Sequence, residues 1–470
     1  MNCRYNSRMN WFLQLFLICA GFPIVSFTQN LDSKPIRLKH RLEVSSPEDR
    51  VLYASFNSDG TKVLLVNKNS TQIWSAETGK LVLSFPEKIP EKYGSGFEWQ
   101  PNGSKVLQTG ARGEKAAAYI WDAETGRLTG VINEKKGIAY AEWNKTGDKI
   151  LAVGNTGGNY SLYDVPISIR DQNGKVIRTE FVIRPSSTPR ASFTSDGNNV
   201  ITSSDDRYLD GRPVRISDAE TGETIKAFDQ ELSKSGFASF SAESPDGKFI
   251  CGQIIVSKGV VCWKTEGTES PIYYFLDTKE TGDISFLNFS PDFKSFAILK
   301  PKKNVIEIID TETGKVKSTL QNPNKARLIL FHPGMPLTSG DSWSPDSKAF
   351  IASNFEKEAS MWNTHTGELV AKLPLIYDDD YDWFVGTLVT DYERFSFHPS
   401  GKILLSIGRL SVKLWKPQTG ELLMEVKEPV NKKSPGIYQF SVAQWSSDGN
   451  LLITAGEENK SVLLWEVFLK

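Results

Sequence analysis

Seven consecutive residues are the most individual stretch of this chain: Tyr377-Asp378-Asp379-Asp380-Tyr381-Asp382-Trp383. Four carboxylates are interleaved with three aromatic rings. Such a loop suits docking to a cationic partner, because rings anchor in pockets while acids steer the encounter. Carboxylate-rich loops also supply hard oxygens for calcium, but this spacing matches no calcium motif. The plainer reading is a solvated acidic loop whose Trp383 packs back on its own scaffold. A smaller stretch of the same flavour, Ser204-Asp205-Asp206-Arg207-Tyr208-Leu209-Asp210-Gly211, adds Arg207 and Tyr208 as candidate binding residues.

Elsewhere the reactive side chains are few. The four histidines are His40, His332, His365 and His398, and His-x-x-x-His, Cys-x-x-Cys and Gly-x-Ser-x-Gly are all absent. Metal ligation, haem ligation and nucleophilic catalysis therefore lack their usual residues, and neither a catalytic residue nor a cofactor is expected. Lys plus Arg is 55 and Asp plus Glu is 56, a net charge of −1. Without a basic excess, nucleic acid is not expected as a partner. An apolar fraction of 39%, with 26 Phe, 14 Tyr and 12 Trp, is ample for a packed core and excludes a disordered chain.

The first residues carry an address. Arg4 and Arg8 precede a nearly unbroken apolar run from Trp11 to Phe27, interrupted by Pro23. This reads as a secretory signal over residues 1–28, cleaved near Ser26 or Thr28, in a secreted or periplasmic protein. The alternative is an uncleaved anchor, which would be the only membrane contact. Cleavage leaves Cys251 and Cys262 as the only cysteines. An exported compartment permits a disulfide. The expected register sets the two on diagonal positions of a hairpin, beyond comfortable reach, as two small buried hydrophobes.

One element recurs nine times along residues 36–470: an aromatic, a short polar turn and a hydrophobic run. Its turns include Asn57-Ser58-Asp59-Gly60, Ser244-Pro245-Asp246-Gly247 and Ser446-Ser447-Asp448-Gly449, and successive turns lie 43 to 54 residues apart. Pro pre-sets φ, Asp or Asn caps the turn, and Gly supplies positive φ. A second element follows each first one: a strand ending in Trp or a substitute, then in six units a Thr-Gly turn. Those strand ends are Trp74, Trp121, Tyr163, Ser217, Trp263, Ile309, Trp362, Trp415 and Trp465. Recurring at one strand position, the tryptophans read as core between neighbouring units.

Four short strands per unit at such a period is the signature of a propeller. With Ser-Pro-Asp-Gly before the second strand and Trp121-Asp122-Ala123-Glu124-Thr125-Gly126 after the third, the units resemble WD40 repeats. The Gly-His pair that opens a standard repeat is absent, and the Asp between second and third strands is mostly missing, which puts the family's hydrogen-bonded tetrad in doubt. The resemblance implies an all-β fold: one propeller of four-stranded antiparallel blades over residues 29–470. Nine blades are counted, eight if unit 3 or unit 7 is degenerate. The alternating run 36–44 is expected to complete the last blade and close the ring, a monomer.

Strand alternation puts the two kinds of tight turn on one face. Insertions at Gly110–Ala117, Ser203–Pro213, Asn322–Gly340 and Leu375–Tyr392 then fall on the other, while Pro166–Asn173 and Glu266–Ser270 lengthen the turn face. A rigid scaffold with one variable face reads as a binding surface. The resemblance likewise implies an interaction platform whose partner is another protein. The alternative function is an enzyme, or a small-ligand or glycan binder, with its site in the central channel.

Overall fold

A strand that is apolar at every position needs cover on both faces. Lys62–Asn67 is such a strand over its four central positions, with Val63, Leu64, Leu65 and Val66 all buried. In the computed structural model the cover comes from the sheets on either side. The residues described are 35–43, 51–67, 70–85, 96–109, 116–135, 137–155, 165–179, 190–203, 214–228, 238–254, 259–267, 271–275, 287–300, 303–322, 328–329, 342–354, 358–375, 394–408, 411–427, 440–456 and 461–469. Among them every element is a strand, and the strands form nine four-stranded antiparallel sheets.

Eight of the sheets are meanders of consecutive strands. Blade 1, for example, is Val51–Phe56, Lys62–Asn67, Thr71–Ser75 and Leu81–Ser84. Blades 2 to 8 follow in chain order, their first strands opening at Gly96, Ile138, Arg190, Ala238, Leu287, Leu328 and Arg394. Blade 9 has only three strands of its own, Phe440–Trp445, Leu451–Gly456 and Ser461–Val467. Ile36–Glu43 adds the fourth, running from Ile36 opposite Val467 to Glu43 opposite Ser461. Arg37 fixes this seam with an ion pair to Glu466 at 2.8 Å. The count is thus nine rather than eight, since units 3 and 7 both form sheets.

Alternation along each strand sends side chains to both neighbours. Val63 and Leu65 pack on Ile453, Ala455 and Leu464 of blade 9, whereas Leu64 and Val66 pack on Trp99, Val106 and Trp121 of blade 2. Every further junction, from blades 2–3 to blades 8–9, has its own buried cluster. The cluster joining blade 9 to blade 1 closes the ring. The compact unit runs Pro35–Lys470. The expected signal over residues 1–28 lies outside the described residues.

Three expectations need correction. The third strand of blade 3 does not end at Tyr163 but is Ile167–Asp171. Arg170 fills the place of the repeated Trp: it opposes Ile150 just as Trp74 opposes Val63. A guanidinium is tolerated at 7% exposure because every side of it is paired. It meets Glu134 at 2.7 Å, Ser168 Oγ at 3.0 Å and Gly174 O at 3.1 Å. Consequently Pro166–Asn173 does not lengthen the turn face, because Asp171–Lys175 is a tight turn there. The insertion of unit 7 also differs: Leu328–Ile329, inside the expected Asn322–Gly340 loop, pairs with Asn354 and Ser353 as a first strand, and Trp343 bridges Phe350.

The third correction concerns the cysteines. Pairing runs from Phe249 opposite Lys264 to Ile254 opposite Gly259, which sets Cys251 directly across from Cys262. Their Cα atoms are 4.1 Å apart and the sulfurs are bonded. The diagonal register was the error, and a direct register brings both side chains to the same face of the sheet.

Candidate interaction site

Tyr377, Asp378, Asp379, Asp380, Tyr381, Asp382 and Trp383 lie outside the described residues, as do Arg207 and Tyr208. Their attachment points are described. Segment 376–393 leaves the fourth strand of blade 7 and enters the first strand of blade 8, and Leu375 and Phe395 at its two ends are buried in one cluster between those blades. Segment 204–213 joins the second and third strands of blade 4, where Ser203 pairs with Val214. By strand alternation both segments emerge on the face opposite the tight turns, with their bases three blades apart.

The turn face is built differently, as a stitched collar. Each polar turn first satisfies itself. In the last unit Ser446 Oγ donates to Asp448 Oδ1 at 2.6 Å, and the Asn450 amide donates to the same oxygen at 3.0 Å. Such bonds favour the carboxylate form. The Thr61 hydroxyl and amide hold Asp59 below the usual carboxylate range, the Ser244 hydroxyl does so for Asp246, and Thr146 with Asn144 brings Asp148 down to about 2. Turns then bond to the next blade: Ser447 Oγ to Ser58 O at 2.8 Å, Ser58 Oγ to Pro101 O at 2.6 Å, Asn144 Nδ2 to Gly197 O at 3.3 Å and His398 Nε2 to Gly449 O at 2.8 Å.

The outer turns are locked as well. A fourth-strand side chain reaches the Thr-Gly turn of the following blade, as His40 Nε2 does to Glu77 O at 2.7 Å and Ser318 Oγ to Thr364 O at 2.5 Å. Gly367 shows how close the approach is: at φ +75° a Cβ there would stand 2.7 Å from Thr319 O.

The inner wall holds residues that the repeat reading passed over. First strands touch across blade junctions through side chains that reach the next backbone. Tyr53 OH donates to Phe97 O at 3.0 Å, Glu142 accepts from the Phe193 amide at 3.0 Å, and Glu98 accepts from the Trp143 amide at 3.3 Å. Burial drives Glu142 and Glu98 up to about 7, against the lowering effect of those amide bonds, and the charge of Glu142 raises Glu98 further. The Glu98 side chain still meets solvent along the wall, and its upward direction follows from enclosure by two blades. A signal for this wall was present. The residue just before the repeated aromatic is polar in eight units: Ser55, Glu98, Glu142, Ser192, Asn288, Ser342, Ser396 and Gln444.

The doubted tetrad reduces to pairs. The indole of Trp415 donates to Ser406 Oγ at 2.9 Å and that of Trp465 to Thr454 Oγ1 at 3.0 Å, each a third-strand donor on a second-strand hydroxyl. Among the described residues no group of three or more His, Cys, Asp or Glu side chains is placed to hold a metal ion.

Comparisons with known proteins agree with this architecture. Residues 432–466, most of blade 9, match the family described as WD domain, G-beta repeat. A search of curated proteins finds no match. Among solved structures, a eukaryotic initiation factor aligns with a TM-score of 0.53 at 13% identity, over 82% of this chain and 89% of that one, a likeness of fold alone. The C-terminal WD40 domain of Sif2 aligns at 0.49 and 12% identity over 93% and 99%. The Cps50 (Swd1) β-propeller domain of Myceliophteria thermophila aligns at 0.41 and 12% over 92% and 100%. Residues 432–466 match a WD repeat and eight sheets of the same build precede that blade, so the chain has a β-propeller fold whose last blade is similar to a WD repeat.

Proposed function

We propose that this protein is a non-catalytic platform outside the cytoplasm that binds another protein through the face bearing its inter-blade and second-to-third-strand connections. WD40 propellers generally mediate protein interactions and are generally non-catalytic. The observation that carries the choice of face is an asymmetry. Turns on one face are short and bonded to the next blade at most junctions, which leaves few groups free for a partner. The longer connections spring from the other face, where a rigid ring can present variable segments. Of these, Tyr377–Trp383 joins aromatic anchors to four acids, and it suits a partner with a basic patch around apolar pockets.

Two observations support export: the basic and apolar N-terminal run, and a Cys251–Cys262 disulfide, a bond that persists in oxidising compartments. The test is affinity capture from an extract of the chain's own compartment. The full chain is bait, beside a variant carrying Asp378→Asn, Asp379→Asn, Asp380→Asn and Asp382→Asn. A partner retained by the first and lost by the second supports the reading. Equal retention by both removes this loop from the site, and no partner for either shifts weight to small-ligand binding.

A further inference from the structure

A cavity of about 470 Å³ opens on the turn face between blades 5 and 6. Its origin is visible in two departures from the repeat. At the place of the turn glycine, blade 6 carries Phe293 at φ 58°, and its ring is drawn inward to stack on Phe289 at 4.3 Å. The third-to-fourth-strand turn of blade 5 reads Thr265-Glu266-Gly267, and a Cβ at Gly267 would meet nothing within 4 Å. The equivalent glycines of blades 1, 4, 7 and 8 lie hard against the preceding blade. The fifth turn is held instead by Lys226 of blade 4, whose Nζ donates to Lys264 O at 3.0 Å, Thr265 O at 2.8 Å and Gly267 O at 3.0 Å, and the recess opens on the turn's other side, toward blade 6.

The recess is charge-balanced. Lys248, Lys294 and Lys317 share it with Asp246, Asp292 and Asp310, and the whole lining has four ammonium groups and five carboxylates. Two of the pairs are bonded, Lys317 to Asp310 at 3.0 Å and Lys248 to Asp246 at 3.3 Å. The excess is a single negative charge. What the wall does offer is many donors and acceptors side by side, with the half-buried ring of Phe249 as an apolar patch. Thr311 adds a buried hydroxyl without a partner, whereas in the neighbouring blades Thr265 Oγ1 donates to Gly247 O and Thr364 Oγ1 to Ser347 O. Blade 6 has lost a bond that its neighbours keep.

We infer that this recess binds a neutral, polyhydroxylated ligand of mono- or disaccharide size. Mixed carboxylates and ammonium groups match the alternating donors and acceptors of a sugar, an aromatic ring takes its C–H face, and a cavity of this size lies in the range of small-molecule sites. The lining of the recess comes entirely from the turns and strand ends of blades 5 and 6.

The test is saturation-transfer NMR on the full chain with glucose, galactose, N-acetylglucosamine and maltose, together with sodium phosphate titrated by calorimetry. At least one sugar is expected to bind, with a Kd on the order of 1 mM. Lys248→Ala and Glu312→Ala, both at exposed positions, are expected to weaken it by about fivefold each, the loss of one hydrogen bond. Lys145→Ala, in the turn of another blade, is expected to leave binding unchanged. Melting curves verify that all three variants fold. Transfer to no sugar, transfer untouched by the two variants, or binding of phosphate in place of sugar would each overturn the inference.

Discussion

At the scale of single residues, the inner-wall acids and the turn acids respond to pH in opposite directions. Glu142 titrates at about 7 in the ring because burial penalises its charge, while its unfolded value is near 4.5. Its contribution to stability is therefore fully present below pH 4.5 and is lost as pH rises through 7. Glu98 and Glu243 share this sign, again through burial. Asp148, held at about 2 by Thr146 and Asn144, stabilises above pH 3.8 and loses that contribution as pH falls toward 2. The melting temperature is expected to fall from pH 5 to pH 8 and also to fall below pH 4. Glu142→Gln keeps the acceptor for the Phe193 amide and removes the charge. It is expected to gain about 1–2 kcal/mol at pH 8 and nothing at pH 4.5. Calorimetric scans of both proteins across that range check this, and an equal gain at both pH values would contradict it. The disulfide is the second residue-scale feature. Cys251→Ser with Cys262→Ser is expected to cost about 2–3 kcal/mol in urea unfolding. Thiol alkylation of the denatured, unreduced protein followed by peptide mapping should leave Cys251 and Cys262 unlabelled, and label on both would contradict the bond.

At the scale of elements, the local signals in the sequence were strong where the chemistry is local. Turns such as Ser446-Ser447-Asp448-Gly449 announce themselves because Ser, Asp and Gly each do a separate job within five residues. The closing strand was legible because the last unit ended one strand short. Register was not legible, because the opposition of Cys251 and Cys262 depends on pairing along two whole strands. Arg170 hid for another reason: a charged residue at a core position looks like a break in the pattern until Glu134, from the preceding blade, is seen beside it. The inner-wall acids escaped because the aromatics next to them dominated the repeat. The seam gives the sharpest element-scale prediction. Ile36 and Leu42 are buried at 1% and 0%, one toward blade 8 and the other toward blade 1. Leu42→Ala is expected to lower stability by about 2–4 kcal/mol. Deleting residues 36–43 exposes an edge of blade 9 and is expected to give soluble aggregates in size-exclusion chromatography. A monodisperse, fully stable deletion would mean that the ring does not depend on this strand.

At the scale of the whole molecule, nine blades share one closed circuit of clusters, so among the described residues the sheet faces are covered by neighbouring blades. Binding capacity is left to the two rims and the outer edge. One rim is the stitched collar, with the recess between blades 5 and 6. The other carries the segments in which sequence alone locates the candidate acids and aromatics. The central claim, that the rim opposite the collar docks a protein partner, is tested most directly by comparing three baits in one capture experiment. These are the full chain, the full chain with Tyr381→Ala and Trp383→Ala, and the full chain with Lys62→Ala and Lys145→Ala on the turn rim. The account predicts that the second bait loses the partner by tenfold or more, about 1.4 kcal/mol, with an unchanged melting temperature, while the third retains it. Loss from the third bait and retention by the second would place the docking surface on the collar and contradict the claim.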